Sequence, residues 1–375
     1  MTVHSMEFIG RERELGIVER MLKQSQSRCL AFIWGLGGMG KTRFLDVVDE
    51  RFCMGAMESS IKCLPIIDFD DDRYRVPQNV GISIAQQVDP QIFLPYFVAI
   101  RDKQRFERQM PEGYDIELAS IYQEQTLKAF RECFNQFSEK QRVIIRLDTT
   151  DALKKEGAVE EDLSTVITLL DDMLLHLDNV AVLIAGRNAD KLYERYRSAN
   201  DVQVEKIHLV EFSPAESRLY FEKKKQMVFV PLNLPEEYLE KILILAGGRP
   251  IFLDLAIDWA QAGPLPWVES LSLTELQNLG KRASETTKRG AIIAKGRLNE
   301  LQKKFEKAIM EPFASLDYDL DSLVLLLSRL SPLDKDGIAA LLDMDSEKAE
   351  KLIEQAKKFS AFKVLPDERL KLHDG

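Results

Sequence analysis

Apolar residues in the first half of the chain form short unbroken runs separated by segments with helical periodicity. The apolar runs are 29–34, 63–68, 143–148, 180–187 and 207–210. Unbroken runs of this length suit strands that are buried on both faces of a parallel sheet. Segments 41–52, 119–138 and 163–177 instead space their apolar residues for one buried helix face. Strands that alternate with helices predict a doubly wound, parallel α/β sheet.

The pattern changes after about residue 212, beyond which we predict helices and one hairpin. Ser213, Pro214 and Glu216 form a typical helix start, with a capping hydroxyl, a proline in the first turn and an acid three residues on. Residues 284–296 are polar and basic and are interpreted as a hinge or linker. Helices over 322–330, 335–342 and 346–359, followed by a hairpin of 361–365 and 369–373, predict a winged helix. The expected domains are 1–212 with the sheet, 213–297 with helices, and 298–375 with the winged helix.

A glycine-rich loop lies between the first predicted strand and the first predicted helix. It reads Gly35-Leu36-Gly37-Gly38-Met39-Gly40-Lys41-Thr42 and matches the pattern G-x-x-x-x-G-K-[ST]. Glycines let successive backbone N–H groups curl around phosphate oxygens, and a helix N-terminus adds partial positive charge. Lys41 can reach the β- and γ-phosphates, and the Thr42 hydroxyl can bind Mg²⁺. The loop therefore predicts a site for ATP or ADP with Mg²⁺.

Charged residues follow two of the predicted strands, at the edge where parallel sheets bind ligands. Asp148 ends the run 143–148 and is a candidate Mg²⁺ ligand together with Thr42. Asp151 could orient or deprotonate an attacking water, or be a plain surface acid. Arg187 could contact the γ-phosphate, or form a structural ion pair. The candidate catalytic residues are therefore Lys41, Asp148, Asp151 and Arg187.

Composition limits the class of protein. The chain has 375 residues, 45% of them apolar and 30% charged, with a net charge of −10. No apolar run reaches the roughly 18 residues of a membrane span, and the N-terminus does not resemble a secretory signal. The four cysteines lack metal-like spacing, and the three that sit in or beside apolar runs are interpreted as buried hydrophobes. We therefore expect a cytoplasmic protein with no membrane partner. Residues 73–110 fit either a helical hairpin or a loop.

Together these motifs resemble the STAND class of signalling ATPases, which includes the NB-ARC proteins. Residues 8–15 resemble the family box whose backbone lines the adenine. Ala185-Gly186-Arg187 resembles the sensor-1 strand, although Ala185 and Gly186 replace hydroxyl residues. Residues 248–250 resemble a Gly-Leu-Pro motif whose proline stacks near adenine, and residues 371–374 resemble a Met-His-Asp motif whose histidine holds the β-phosphate of ADP. The implied nucleotide contacts are Phe8, Ile9, Gly10, Arg11, the loop from Gly35 to Thr42 with Arg43, Pro250 and His373.

The resemblance implies a nucleotide-dependent switch. ADP would hold a closed, inactive form, and ATP would favour an open form that assembles into a homo-oligomer. Many relatives place two acids adjacent to each other after this strand, or a glutamate at position 151. Thr149 and the shorter Asp151 therefore predict slow or absent hydrolysis. Because the chain stops one residue after the Leu-His-Asp motif, we expect an excised core without C-terminal sensor repeats and without an N-terminal effector.

Two other classes of protein share some of these features. An AAA+-type, DNA-associated ATPase would have the same sheet and a DNA-binding winged helix. Residues 301–375 carry twelve Lys and Arg against fifteen Asp and Glu, a net charge of −3, so nucleic acid is an unexpected partner. A metabolic P-loop kinase would need an acceptor pocket, for which the sequence offers no pattern.

Overall fold

The computed structural model describes most of the chain as two compact units. The described residues are 8–23, 27–53, 61–109, 116–153, 171, 176–199, 201–227, 234–260, 265–284, 289–310, 318–365 and 368–372. We name the first unit the sheet unit; it comprises Glu12–Gly35 and Lys41–Leu209. The helical unit comprises the residues up to Arg11, Leu36–Gly40, and the chain from Val210 onward.

The sheet unit alternates strands and helices, as the sequence predicts. Its elements are α1 (Glu12–Lys23), β1 (Arg28–Trp34), α2 (Lys41–Phe52), β2 (Ile61–Cys63), β3 (Ile67–Asp68), α3 (Pro77–Val88), α4 (Leu94–Gln109), α5 (Ile116–Ser138), β4 (Arg142–Asp148), β5 (Val180–Gly186), α6 (Ala189–Tyr196) and β6 (Gln203–His208). Turns of 3₁₀ helix lie at Asp72–Arg75 and Thr150–Leu153.

The strands form one parallel sheet in the order β2-β4-β5-β1-β6, with β3 also paired to β4. All seven residues of β4 and of β5 are buried, which explains their unbroken apolar sequences. The core on this sheet includes Phe32, Ile145 and Ile184, which are almost completely buried. The predicted parallel α/β P-loop fold is therefore confirmed.

One predicted strand is broken in two. The run 63–68 was expected to be continuous, but it gives the end of β2 and the whole of β3, both paired with β4. Pro65 lies between them and lacks the N–H that a continuous ladder needs. The break leaves Asp68 as the last residue of β3, in register with Asp148 at the end of β4.

Other sequence-based predictions differ in smaller ways. Residues 73–110, for which hairpin and loop were both open, contain the helices α3 and α4. The predicted helix 163–177 falls mostly outside the described residues. Cys53 and Cys63 are joined in a disulfide between the end of α2 and β2, a pairing that the sequence analysis did not predict. Cys29 and Cys133 are buried free thiols, as expected.

The helical unit contains a series of helices followed by a small hairpin. Its elements are α7 (Pro214–Met227), α8 (Glu236–Ala246), α9 (Pro250–Ala260), α10 (Pro266–Glu269), α11 (Leu273–Ala283), α12 (Arg289–Met310), α13 (Tyr318–Leu330), α14 (Lys335–Leu341), α15 (Ser346–Ala356), β7 (Phe362–Val364) and β8 (Leu370–Leu372). The predicted start of α7 is a capping box: Glu216 N donates to Ser213 Oγ at 3.2 Å, and Ser213 N donates to Glu216 Oε2 at 2.7 Å.

The prediction of a linker over 284–296 is wrong from residue 289 onward. Residues Arg289–Met310 form one helix, because Ala291, Ala294, Phe305 and Ile309 repeat at helical spacing and are buried. The polar and basic character of this segment belongs to the exposed face of α12. Helix α12 passes unbroken through residues 297 and 298, while the predicted domain boundaries remain predictions.

The last three helices and the hairpin follow the predicted winged-helix order. Strands β7 and β8 are antiparallel, and Leu333 forms an isolated bridge to Leu370. Leu320, Leu323, Ile338 and Leu352 from these helices belong to the same core as Phe252 of α9. Among the described residues, no helix combines the length and apolarity needed to cross a bilayer.

Candidate nucleotide-binding site

The glycine-rich loop begins where β1 ends, at a point too crowded for a side chain. A Cβ on Gly35 would lie 2.5 Å from the carbonyl oxygen of Leu209. The same segment is fixed by Leu209 N, which donates to Trp34 O at 2.9 Å. Lys41, the first residue of α2, donates through Nζ to Gly35 O at 3.1 Å. The loop therefore runs from a buried strand directly into a helix N-terminus, the context that its motif requires.

The middle of the loop contacts the turn before α9, within the helical unit. Gly38 has a positive φ of 71°, and a Cβ there would lie 2.1 Å from Ile251 Cγ2. Ile251 N donates to Gly38 O at 3.3 Å, and Arg249 Nη2 donates to Gly37 O at 3.1 Å. Leu36 is exposed and Met39 is buried. The residues on either side of Pro250 thus donate hydrogen bonds to two carbonyl oxygens of the loop. The N–H groups of the loop are the groups that would bind phosphate.

The turn before α9 is itself fixed by glycine. Gly247 and Gly248 have positive φ values of 59° and 75°. Phe212 N donates to Gly248 O at 2.8 Å, and a Cβ on Gly248 would lie 2.3 Å from Phe212 O. Pro250 is buried as the first residue of α9, where its missing N–H costs nothing. The Gly-Arg-Pro motif is therefore fixed by its contacts with Phe212, next to the residues that bind the loop carbonyls.

The two predicted metal ligands meet in the sheet unit. Thr42 Oγ1 donates to Asp148 Oδ2 at 2.5 Å, and Thr149 N donates to Asp148 Oδ1 at 2.8 Å. Asp148 is buried, and Thr149 takes a positive φ of 54° that turns the chain away from the sheet. A hydroxyl and a carboxylate oxygen in contact form a donor set that suits Mg²⁺. Thr42 and Asp148 would hold that ion, which would neutralise phosphate charge when bound.

Asp68 is a residue that the sequence analysis missed as a candidate for the site. It is the last residue of β3 and the register partner of Asp148, so both side chains leave the same face of the sheet. Asp68 is buried and accepts a hydrogen bond from Asp70 N at 3.1 Å through Oδ1. The signal was present, since Asp68 ends an apolar run just as Asp148 does. Only the pairing of β3 with β4 shows that the two carboxylates are neighbours.

Asp151 and Arg187 are brought together after β4 and β5. Arg187 N donates to Asp151 Oδ1 at 2.6 Å, and Arg187 Nε lies 3.8 Å from Asp151 Oδ2. The Arg187 side chain is 44% exposed. Thr150 Oγ1 donates to Ala185 O at 3.1 Å, and a Cβ on Gly186 would lie only 2.3 Å from that hydroxyl. Thr150 thus places a hydroxyl beside the positions where Ala185 and Gly186 lack one.

The N-terminal box packs within the helical unit. Arg11 is buried, donates through Nη2 to Val210 O at 2.6 Å, and lies 4.9 Å from the centre of the Phe212 ring. Gly10 has a positive φ of 71°, and a Cβ there would lie 2.6 Å from Glu216 Oε1. Ile9 is buried and Phe8 is half-buried. These contacts fix the backbone of Phe8 to Arg11, the part of the box expected to line adenine.

Two further predicted contacts have different outcomes. The Arg43 guanidinium is bound to Glu50 through hydrogen bonds of 2.6 and 3.1 Å on the exposed side of α2. Its side chain is therefore engaged with a carboxylate. His373 lies outside the described residues, so its predicted contact with the β-phosphate remains a prediction.

Comparison with known families identifies the region that holds most of these residues. Residues 31–207 match the profile of a family described as "ATPase family associated with various cellular activities (AAA)". This region is similar to AAA-family ATPase domains. The matched region contains Lys41, Thr42, Asp68, Asp148, Asp151 and Arg187. The profile names AAA ATPases, so the narrower STAND resemblance remains a hypothesis.

Solved structures similar to this chain include archaeal ATPases. The Walker-type ATPase PABY2304 of Pyrococcus abyssi is 14% identical with a TM-score of 0.43, over 98% of this chain and 94% of that chain. Cdc6p from Pyrobaculum aerophilum is 14% identical with a TM-score of 0.44, over 99% and 92%. The Aeropyrum pernix ORC1 protein in complex with DNA is 15% identical with a TM-score of 0.40, over 98% and 90%. A comparison with functionally characterised protein sequences gave no significant match.

Proposed function

We propose that this chain is a Mg²⁺-dependent ATPase of the AAA type that acts in association with DNA. The observation that carries the ATPase part is the AAA match over residues 31–207 together with the contact between Thr42 and Asp148. The association with DNA is supported by α14 and α15, two helices joined by a four-residue turn in the helix-turn-helix order. This proposal replaces the STAND switch as the main interpretation, because the family match favours AAA ATPases.

Each residue has a proposed role in hydrolysis. The loop N–H groups and Lys41 bind the phosphates, while Thr42 and Asp148 hold Mg²⁺. Arg187 contacts the γ-phosphate from the end of β5. A carboxylate is still needed to orient the attacking water. Asp151 is engaged by the backbone N–H of Arg187. Asp68 also accepts a backbone hydrogen bond, from Asp70 N, but it is buried and in register with Asp148, so we assign the water to Asp68.

The first test measures phosphate release from ATP by the purified chain with and without Mg²⁺. Activity should require Mg²⁺ and disappear in Lys41→Ala. If Asp68 orients the water, Asp68→Asn should lower kcat by about 100-fold or more, while nucleotide affinity changes little. The amide oxygen of Asn can still accept the hydrogen bond from Asp70 N, so a purely structural role would leave kcat nearly unchanged. A comparable loss in Asp151→Asn alone would assign the water to Asp151 instead.

A nucleotide-controlled switch of the STAND type is the second candidate. The observation in its favour is the support of the loop by the Gly-Arg-Pro turn, through Arg249 and Ile251. In this case ADP would stay bound through purification, and ATP would favour an oligomer. Denaturing the purified protein and identifying the released nucleotide separates the two functions. Stoichiometric ADP, lost in His373→Ala, would support the switch; an empty site with steady turnover of ATP would support the cycling ATPase.

A further inference from the structure

Helices α11 and α12 carry a cluster of exposed cations that nothing in the proposed nucleotide site uses. We name this cluster the basic hairpin. Its cations are Lys281, Arg282, Lys295, Arg297, Lys303, Lys304 and Lys307, and all seven side chains are exposed. The described carboxylates on the same two helices are Glu275, Glu300 and Glu306. The hairpin is therefore net positive in a chain whose net charge is −10.

These cations are not neutralised by the protein. Among the residues that the structure describes, none of the seven lies in an ion pair, although Glu306 lies 3.9 Å from Arg249 Nη1. Arg282, Arg297 and Lys304 line one groove between α11 and α12 together with Glu275 and Glu300, so cations outnumber carboxylates there. Like charges held close together on rigid helices repel one another. A surface of this kind is stabilised by a ligand that brings many negative charges.

The helix-turn-helix has the opposite character. On α15, the second helix of that motif, Lys348 is 2.7 Å from Asp319 and Lys351 is 2.7 Å from Glu347. Lys357, which directly follows α15, is 2.5 Å from Glu354. Phosphates at α15 would compete with these carboxylates. Helix α15 itself has two lysines and three glutamates, a net charge of −1. The summed charge of residues 301–375, which argued against nucleic acid, leaves out α11 and the part of α12 before Leu301. Four of the seven hairpin cations therefore lie outside that sum.

We propose that the basic hairpin supplies most of the contacts to the phosphate backbone of double-stranded DNA, while the helix-turn-helix, whose lysines are ion-paired, supplies few of them. This inference rests on the proposed association with DNA and assigns the surface responsible. From Lys295 to Lys307 the helix rises about 18 Å. Duplex DNA carries one phosphate charge per roughly 1.7 Å of axis, so that length spans several phosphates. The cations of α12 therefore match the extended charge of a duplex.

The same helix begins with an exposed apolar pair. Ile292 and Ile293 are 75% and 64% exposed, next to Lys295 and Arg297. Apolar side chains beside cations can press into the minor groove of a duplex. A membrane-surface helix would instead need a continuous apolar face. Apart from this pair and two glycines, the exposed positions of α12 with described side chains are polar or charged. The buried face of α12, which includes Phe305 and Ile309, packs in the core. These observations favour DNA over a lipid surface.

The test compares two double variants that change charge equally. The full chain is titrated into a fluorescently labelled duplex of mixed sequence, across about 50 to 200 mM salt, with anisotropy as the readout. Lys303→Glu with Lys307→Glu reverses two hairpin cations. Lys351→Glu with Lys358→Glu reverses one exposed lysine of α15 and one exposed lysine in the turn after it, and is the matched control. Thermal unfolding and ATP hydrolysis are measured for both, and neither should change.

The hairpin variant should lose at least about tenfold in affinity, and its slope of log K against log salt should fall by about 2. The α15 variant should keep the wild-type slope. Ile292→Ser with Ile293→Ser should weaken binding without changing the slope. A larger loss in the α15 variant would overturn the assignment. So would wild-type protein that hydrolyses ATP but binds no duplex, or that binds anionic vesicles in its place. The last two outcomes leave the ATPase standing, whereas DNA binding without hydrolysis would contradict the ATPase alone.

Discussion

At the scale of single residues, the end of β5 is too crowded for any side chain larger than that of glycine. Gly186 ends β5 beside the 3₁₀ turn that follows β4, and Arg187 comes directly after it. A Cβ on Gly186 would lie 2.3 Å from Thr150 Oγ1 and 2.7 Å from Asp151 Oδ1. The glycine therefore lets the segments after β4 and β5 approach closely. That approach allows Arg187 N to donate to Asp151.

Gly186→Ala should for this reason disturb both stability and activity. The methyl group must push Thr150 or Asp151 away, which we expect to lower the free energy of unfolding by about 1–3 kcal/mol. Urea denaturation measures the loss, and phosphate release measures the effect on turnover. Gly280→Ala is the control, because a Cβ there meets nothing within 4 Å and a helical glycine gains from the change. Equal stability of the two variants would show that the close contact is absent in solution.

At the scale of elements, α9 is joined to the segment after α15 by a half-buried carboxylate. Ser360 N donates to Asp258 Oδ2 at 2.7 Å. Burial raises the pKa of Asp258 to about 6. Desolvation also raises the pKa of the half-buried neighbour Asp254, and Lys224 lies 3.2 Å from it. The folded chain thus holds a proton on Asp258 that an unfolded chain would release at lower pH.

Asp258→Asn should make the protein more stable at neutral pH. Because the folded pKa is raised, the native contribution of Asp258 is fully present below about pH 4 and is lost as pH rises through about 6. Asparagine cannot ionise and keeps an oxygen for Ser360 N. After allowance for partial exposure, we expect a gain of roughly 1–2 kcal/mol above pH 7 and none near pH 4. Denaturation at both pH values checks this difference. A gain of equal size at both pH values would show that the effect comes from packing and not from the ionisation of Asp258.

The elements also show what sequence patterns can and cannot predict. The predicted bounds of α2 and β4 agree with the structure to within a residue, because a buried strand and a one-sided helix leave strong periodicities. The helical nature of 289–296 was missed because its buried face uses small alanines, while its exposed face is basic and holds two isoleucines. Asp68 was missed for another reason. Its position beside Asp148 depends on strand pairing across about 80 residues of sequence, which no local pattern contains.

At the scale of the whole molecule, the proposed site predicts that nucleotide and global stability are linked. A ligand that binds only the folded state adds RT ln(1 + [L]/Kd), which is about 2.7 kcal/mol at 100 times Kd. ATP with Mg²⁺ should therefore raise the Tm of the chain in proportion to the logarithm of its concentration. Lys41→Ala should abolish this shift.

Thr42→Ala should separate the contribution of the metal from that of the nucleotide. The variant loses the hydroxyl that contacts Asp148 but keeps Lys41 and the loop, so it should retain a shift with nucleotide alone. The additional shift on adding Mg²⁺ should be lost, because one of the two proposed oxygen ligands is gone. Arg51→Ala, in the last turn of the same helix, is the control and should behave as wild type. If Thr42→Ala kept the full Mg²⁺-dependent shift, the metal would be held elsewhere, and the contact between Thr42 and Asp148 would be structural only.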